Sequence, residues 1–161
     1  MGSVQDTAVD DTGDRVDAVY RAESQRLWRA LLGYTADREL ASDAMAEAFT
    51  RAMRDQDQIN DLAPWVWRVA FRLAAADLRA AKGTADVEVE VPNEPIWDVP
   101  DLVRALRKLP PKQRLAVVLH DYGDRPTREV ADVLGSSSAT VRVHLSQGRR
   151  RLRQLLEERD A

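Results

Sequence analysis

Apolar residues return every three or four positions through most of the chain, the period of an amphipathic helix. From Arg15 to Leu32 the repeat is carried by Val16, Val19, Leu27, Ala30 and Leu31, with Gly33 placed to end the helix. A second helix is predicted from Asp37 to Arg54, its buried side formed by Leu40, Ala44, Met45, Ala48, Phe49 and Ala52. Residues 55–62 are polar and read as a loop. Pro64 then starts a third helix at a position where a missing N–H costs nothing. Val66, Val69, Ala70, Leu73 and Asp77 share one of its faces, while Trp65, Trp67, Arg68, Phe71, Arg72 and Arg79 spread around the others. Trp65 is expected in the core. Residues 1–14 are acidic, small and aperiodic, and are expected to be disordered.

The pattern breaks at residues 82–100, KGTADVEVEVPNEPIWDVP. Gly83, Pro92, Pro95 and Pro100 interrupt regular structure there. VEVEV alternates like a strand, but a lone strand has nothing to pair with, so the segment reads as a flexible acidic linker. Helical spacing resumes at Asp101–Leu109, stops at Pro110 and Pro111, and resumes over Lys112–Tyr122. Two more helices follow. The first spans Thr127–Leu134 and ends at Gly135, where a left-handed residue fits. Ser136, Ser137 and Ser138 then offer side-chain oxygens to cap the second, whose stripe is Val141, Leu145, Leu152 and Leu155. Ala131, Gly135 and Val141 fall where a helix-turn-helix requires a small, a turning and an apolar residue. The predicted fold is therefore all-α. Two small helical domains, 15–81 and 101–156, flank the linker, the second carries the helix-turn-helix, and 157–161 form a tail.

Charge changes the picture most in the last helix. No acidic residue occurs from Ala139 to Leu156, while Arg142, Arg149, Arg150, Arg151 and Arg153 lie within it. Ser138, Ala139, Thr140, Arg142, Val143, Ser146, Gln147, Arg149 and Arg150 are the candidates to enter a major groove or hold its phosphates. Arg142 has the fork for a guanine edge and Gln147 suits adenine, though either can instead hold phosphate. The net charge of −3 gives the free chain little long-range attraction to DNA. Its unevenness, with Asp6, Asp10, Asp11, Asp14 and Asp17 at the start and arginines at the end, points to a DNA reader working inside a larger assembly.

Two further constellations stand out. On the third helix, aromatics interleave with arginines (Trp67, Arg68, Phe71, Arg72, Arg79), a combination that suits stacking on unpaired bases beside phosphate contacts. Core packing is the competing assignment for Trp67 and Phe71. On the second helix, Asp43, Glu47 and Arg51 sit four apart, either as a solvated charged stripe or as a docking ridge. No nucleophile or pocket partner accompanies these carboxylates, so catalysis is not expected. The chain has no cysteine, and nothing around His120 or His144 makes a metal-ligand set. Neither a metal nor a cofactor is expected. No signal-peptide pattern opens the chain and no run reaches the length of a membrane span, so a cytoplasmic protein is expected.

These stretches resemble the small extracytoplasmic-function group of bacterial sigma-70 factors. The run from Leu109 to Leu156 is similar to the family's C-terminal domain along its whole length. DAMAEAFTRAM, Asp43–Met53, is similar to the helix by which these factors bind core RNA polymerase, with Asp43, Glu47, Phe49 and Arg51 in matching places. PWVWRVAFRLAAADLRA resembles the helix that melts and reads the minus-ten element, although Arg72 stands where the family often has Asn and Ala76 where it often has Asp. Ala46 likewise stands where Gln is frequent. The resemblance implies a non-enzymatic initiation factor. Its partners would be core polymerase, at the clamp region and flap, promoter DNA both duplex and single-stranded, and in many members an anti-sigma factor. The linker would thread toward the RNA path. The competing reading is a two-domain regulator that binds a duplex operator without being a polymerase subunit.

Overall fold

The computed structural model describes residues 6–81 and 100–160, all in helices and the short turns between them. Residues 1–5, the predicted linker between Ala81 and Pro100, and Ala161 lie outside the described residues.

The N-terminal unit has three helices, α1 (Asp6–Thr35), α2 (Arg38–Asp55) and α3 (Leu62–Ala81), with a single 3-10 turn at Gln56–Gln58. Each helix end has a local cause. Ala36 takes the left-handed conformation, φ 54°, and its N–H reaches the Leu32 carbonyl at 2.7 Å, closing α1. Asp37 caps α2, its carboxylate accepting from the N–H groups of Glu39 and Leu40 at 2.9 and 3.1 Å. The three helices bury a common core that includes Leu27, Leu31, Ala44, Ala48, Val66 and Ala70.

The C-terminal unit begins with α4 (Pro100–Lys108) and α5 (Pro111–Val117). The latter widens into a π-helical turn over Val118–Tyr122. Next come α6 (Thr127–Leu134) and α7 (Ser138–Asp160). Gly135 lies between these two at φ 66°, and Ser137 Oγ accepts from the Thr140 N–H at 3.2 Å as the cap of α7. Val130, Val141, Leu115 and Leu119 are buried between the helices.

The two units pack against each other along α1 and α3 on one side and α5, its π turn and α6 on the other, and their buried residues form one continuous core. Tyr34 and Arg114 face each other across this seam, with the guanidinium carbon 5.4 Å from the ring centroid. Burial pushes the Tyr34 hydroxyl up, partly offset by the nearby Arg114 charge, and burial lowers Arg114. Nearby lies a cavity of about 430 Å³ lined from both units, by Tyr34 and Arg79 on one side and Pro111, Lys112, Leu134 and His144 on the other.

Several sequence expectations are corrected. Helix α1 begins at Asp6, inside the stretch expected to be disordered. Asp6, Asp10 and Asp11 belong to its first turns. Gly33 does not end α1. Tyr34, just beyond it, is anchored in the core against Phe71 at 5.8 Å, which outweighs the roughly 1 kcal/mol that a helical glycine costs. Helix α3 starts at Leu62 rather than Pro64, because Leu62 is a core residue, and Pro64 still falls within the first turn. Finally, α7 continues through the predicted tail to Asp160.

Candidate nucleic-acid interface

The helix-turn-helix presents its polar face outward. Val141 and Leu145 of α7 are buried, at 0% and 3% exposure, which turns Ala139, Thr140, Arg142, Val143, Ser146, Gln147, Arg149 and Arg150 to solvent. Ser138, the first residue of the helix, is half-buried. Val143 is 53% exposed, a large apolar side chain held in water beside arginines, and such a group suits a thymine methyl better than it suits solvent. Gly148 sets how α7 lies on α5, since a Cβ there would stand 2.9 Å from Val117 Cγ2.

Two of these residues are already engaged within the unit. Arg149 donates to the Asp121 carboxylate, Nε to Oδ2 at 2.8 Å, which raises the Arg149 guanidinium above its ordinary range. Gln147 Oε1 accepts from Gln113 Nε2 at 3.3 Å. Sequence reasoning misses Asp121 and Gln113 because nothing local marks them. Both lie on α5 or its π turn, about thirty residues from their partners, and the hydrogen bonds exist only because α5 and α7 pack together.

The arginine-aromatic face of α3 is not open in this arrangement. Trp67 and Phe71 are 1% and 0% exposed, stacked on each other at 6.1 Å and 4°. Neither ring can receive a base here. Trp67 donates from Nε1 to Glu23 Oε2 at 3.1 Å, and the Arg125 guanidinium lies 5.2 Å from its ring centroid. Trp65, expected in the core, is only half-buried where it packs against it, and Trp67, for which core packing and base stacking both stood open, is the buried one. The cause is the seam. Single-helix periodicity assigns one buried face, whereas α3 has two, one toward α1 and α2 and one toward the C-terminal unit. Arg68, Arg72 and Arg79 keep their side chains at the surface, but two of them are held across the seam. Arg72 donates to the Asp132 carbonyl at 3.0 Å, and Arg68 stands 3.9 Å from the Asp132 carboxylate.

The ridge on α2 forms as its spacing predicts. Asp43 and Glu47 are exposed, and Arg51 Nε donates to Glu47 Oε1 at 2.9 Å. With Leu73 and Asp77 of α3, Asp43 and Glu47 border an open groove of about 420 Å³. Three carboxylates on its rim suit a basic partner surface. Phe49 does not belong to this surface. It is 7% exposed and takes the edge of Tyr20 at 5.0 Å, so it holds α2 to α1. Among the described residues no group of three or more His, Asp or Glu side chains could hold a metal ion, and no helix is long and apolar enough to cross a membrane.

A family profile described as sigma-70, region 4 matches residues 101–152. The ECF RNA polymerase sigma factor SigE of Mycolicibacterium smegmatis is 31% identical, over 93% of this chain and 67% of its own. The RNA polymerase sigma-E factor of Streptomyces antibioticus is 35% identical, over 75% of this chain and 62% of its own. The chain thus spans roughly two thirds of the length of these relatives. Among solved structures, the sigma factor RpoE of Bartonella quintana, in complex with the anti-sigma factor NepR, shares the fold at a TM-score of 0.72 and 19% identity, over 91% of this chain and 97% of that one. The extracytoplasmic function sigma factor SigJ of Mycobacterium tuberculosis aligns at a TM-score of 0.66 and 28% identity, over 84% of this chain and 53% of that one.

Proposed function

The chain belongs to the extracytoplasmic-function sigma factors, and from that premise we propose that it binds core RNA polymerase and directs initiation at promoters read through minus-ten and minus-thirty-five elements. The observation that carries this reading is the pairing of two exposed surfaces of opposite charge on one chain: the acidic ridge of α2 and the acid-free face of α7. The first suits a basic polymerase surface and the second suits duplex DNA. A regulator acting alone needs only the second. Similarity to SigE over 93% of the chain takes in the N-terminal unit as well, which the operator-binding alternative leaves without a role.

In this reading α7 lies in the major groove of the minus-thirty-five element. Arg142 reads an edge or holds phosphate, Val143 meets a methyl group, and Arg150 holds the backbone. Ser146 and Gln147 lie within reach of base edges. Asp43, Glu47 and Arg51 dock on the polymerase clamp. Arg68, Arg72 and Arg79 steady the phosphates of the opened minus-ten strand. The polymerase supplies the chemistry, and this chain supplies recognition. RpoE, which shares its fold, was solved with the anti-sigma factor NepR, and a partner of that class is the regulator we assign here. Since the polymerase is cytoplasmic, so is the site of action.

Transcription from a promoter library with purified core polymerase tests the proposal. The expected result is a set of transcripts dependent on this chain and sharing two sequence elements. Failure to bind core, together with tight binding of the free chain to a palindromic duplex, would establish the operator-binding alternative.

A further inference from the structure

Three residues of α5 and its π turn meet three consecutive residues of α7. Gln113 Nε2 donates to Gln147 Oε1 at 3.3 Å. Val117 and Gln113 close on Gly148, where a Cβ would stand 2.9 Å from Val117 Cγ2 and 3.3 Å from Gln113 Cβ. Asp121 accepts from Arg149 Nε at 2.8 Å. So tight a crossing leaves α7 little room to turn or slide on α5, and the two glutamines stay opposite each other. Gln147 is exposed on the candidate reading face, whereas Gln113 is half-buried on the helix that supports it.

We infer that Gln113 is a positioning residue that sets which base edge Gln147 reads, by turning the amide oxygen of Gln147 toward α5 and leaving its NH2 group for the groove. The inference rests on the minus-thirty-five reading of α7 proposed above. A carboxamide has one accepting end and one donating end. A bidentate pair with adenine uses both side by side, the NH2 on N7 and the oxygen on the N6 amino group. With the oxygen engaged by Gln113, Gln147 is left to donate, which suits guanine O6 and N7 or thymine O4. Cytosine presents only an amino group at that edge and gives a donor nothing to bind. Arg149, held by Asp121, is not tuned in this way, because a guanidinium donates from every nitrogen however it is turned.

The test is a selection on randomised minus-thirty-five sequences with holoenzyme, using the full chain and its variants. Gln147→Ala identifies the position that Gln147 reads, as the one whose preference it relaxes. Gln113→Met keeps the bulk beside Gly148 and removes the polar end, Gln113→Lys offers donors alone, and Gln113→Glu offers acceptors alone. At that position the parent and Gln113→Lys are expected to rank guanine or thymine above adenine. Gln113→Met should raise adenine by about two- to ten-fold, the worth of one net hydrogen bond. Gln113→Glu should turn the amide around and favour adenine or cytosine, whose amino groups donate. The charge added by Lys or Glu shifts affinity for all sequences alike, so the ranking of bases is the readout. In the Gln147→Ala background no Gln113 variant should change the ranking. A parental ranking in both Gln113→Met and Gln113→Glu overturns the proposal, and so does a changed ranking that persists without Gln147. The remaining failures are distinguishable. A parent holoenzyme that selects no minus-thirty-five sequence overturns the reading of α7 and this inference with it. Selection in the parent that Gln147→Ala leaves intact overturns the inference alone.

Discussion

Gly123 lies against the indole of Trp67 so closely that a β-carbon on it would stand 2.8 Å from Cζ3. The same carbon would meet the Leu119 carbonyl oxygen at 2.7 Å, so neither the π turn nor the ring has room. Gly123→Ala is expected to destabilise the chain by about 1–3 kcal/mol, the range for overpacking. Urea unfolding measures the loss. Acrylamide quenching of tryptophan fluorescence should rise as Trp67 is pushed from its site. An unchanged midpoint would show that the seam is looser than the contact implies.

Two glycines of the C-terminal unit should fail for different reasons. Gly135 has φ 66°, and a Cβ added there would meet nothing within 4 Å, so Gly135→Ala costs only backbone strain, about 1–2 kcal/mol. Gly135→Asn should recover much of it, because Asn tolerates that conformation. Gly148→Ala gains helix propensity but meets Val117 at 2.9 Å and Gln113 Cβ at 3.3 Å, so a net loss is expected. No substitution at 148 larger than glycine should recover it. Thermal melts of the three variants decide the matter.

Arg142 and Arg150, assigned above to readout and to attachment, are the pair that tests that division. Arg142→Ala is expected to cost about 1–3 kcal/mol and to relax preference at one or two minus-thirty-five positions. Arg150→Ala should weaken all sequences alike and flatten the salt dependence. Selection on randomised minus-thirty-five sequences with holoenzyme, at two salt concentrations, distinguishes them. Retention of the parental preferences by Arg142→Ala would make Arg142 a phosphate contact.

Charge reversal at Glu47 tests the α2 ridge. Glu47 is exposed and pairs with Arg51 at 2.9 Å on the helix surface, so Glu47→Lys should change stability by no more than about 0.5 kcal/mol. Binding to core polymerase should nevertheless be lost. Normal core affinity with an intact melt would return the ridge to the status of a solvated stripe.

Tyr34 gives the seam an alkaline limit. Its hydroxyl titrates higher in the folded chain than in the unfolded one because burial disfavours the phenolate. Below about pH 10 the group is neutral in both states and costs nothing. Above that, the unfolded chain releases the proton first, so stability falls with rising pH until the folded hydroxyl titrates as well. Tyr34→Phe should flatten this limb of a stability–pH curve. A curve as steep as the parent's would assign the alkaline loss to other groups.

Local chemistry is legible wherever the chain marks its own turns. Thr127–Leu134 can be read to the residue, because Gly135 and the serines after it are end signals that need no tertiary information. Asp37 announces α2 in the same way. Gly33 misleads, because the anchoring of Tyr34 lies in a contact with Phe71 almost forty residues away. Trp67 stays undecided in the sequence for a related reason: a helix with two partners buries two faces, and periodicity along one helix reveals only the sum. The exposed face of α7 is legible because a helix with a single packed side leaves the other free.

Gly148 bears on how such a chain can change its target. The crossing of α5 and α7 is held by the absence of a side chain at one point, an axle about which the outer residues of α7 are arranged. Ser146 and Val143 are exposed and lie outside the packed face of the helix, so exchanging them need not move it. If the face of α7 reads promoter DNA as proposed, a lineage built on this axle can acquire a new promoter set by exchanging the outward residues alone. A change at 148 would tilt all of them at once, so divergence of specificity should run through the face and spare the axle.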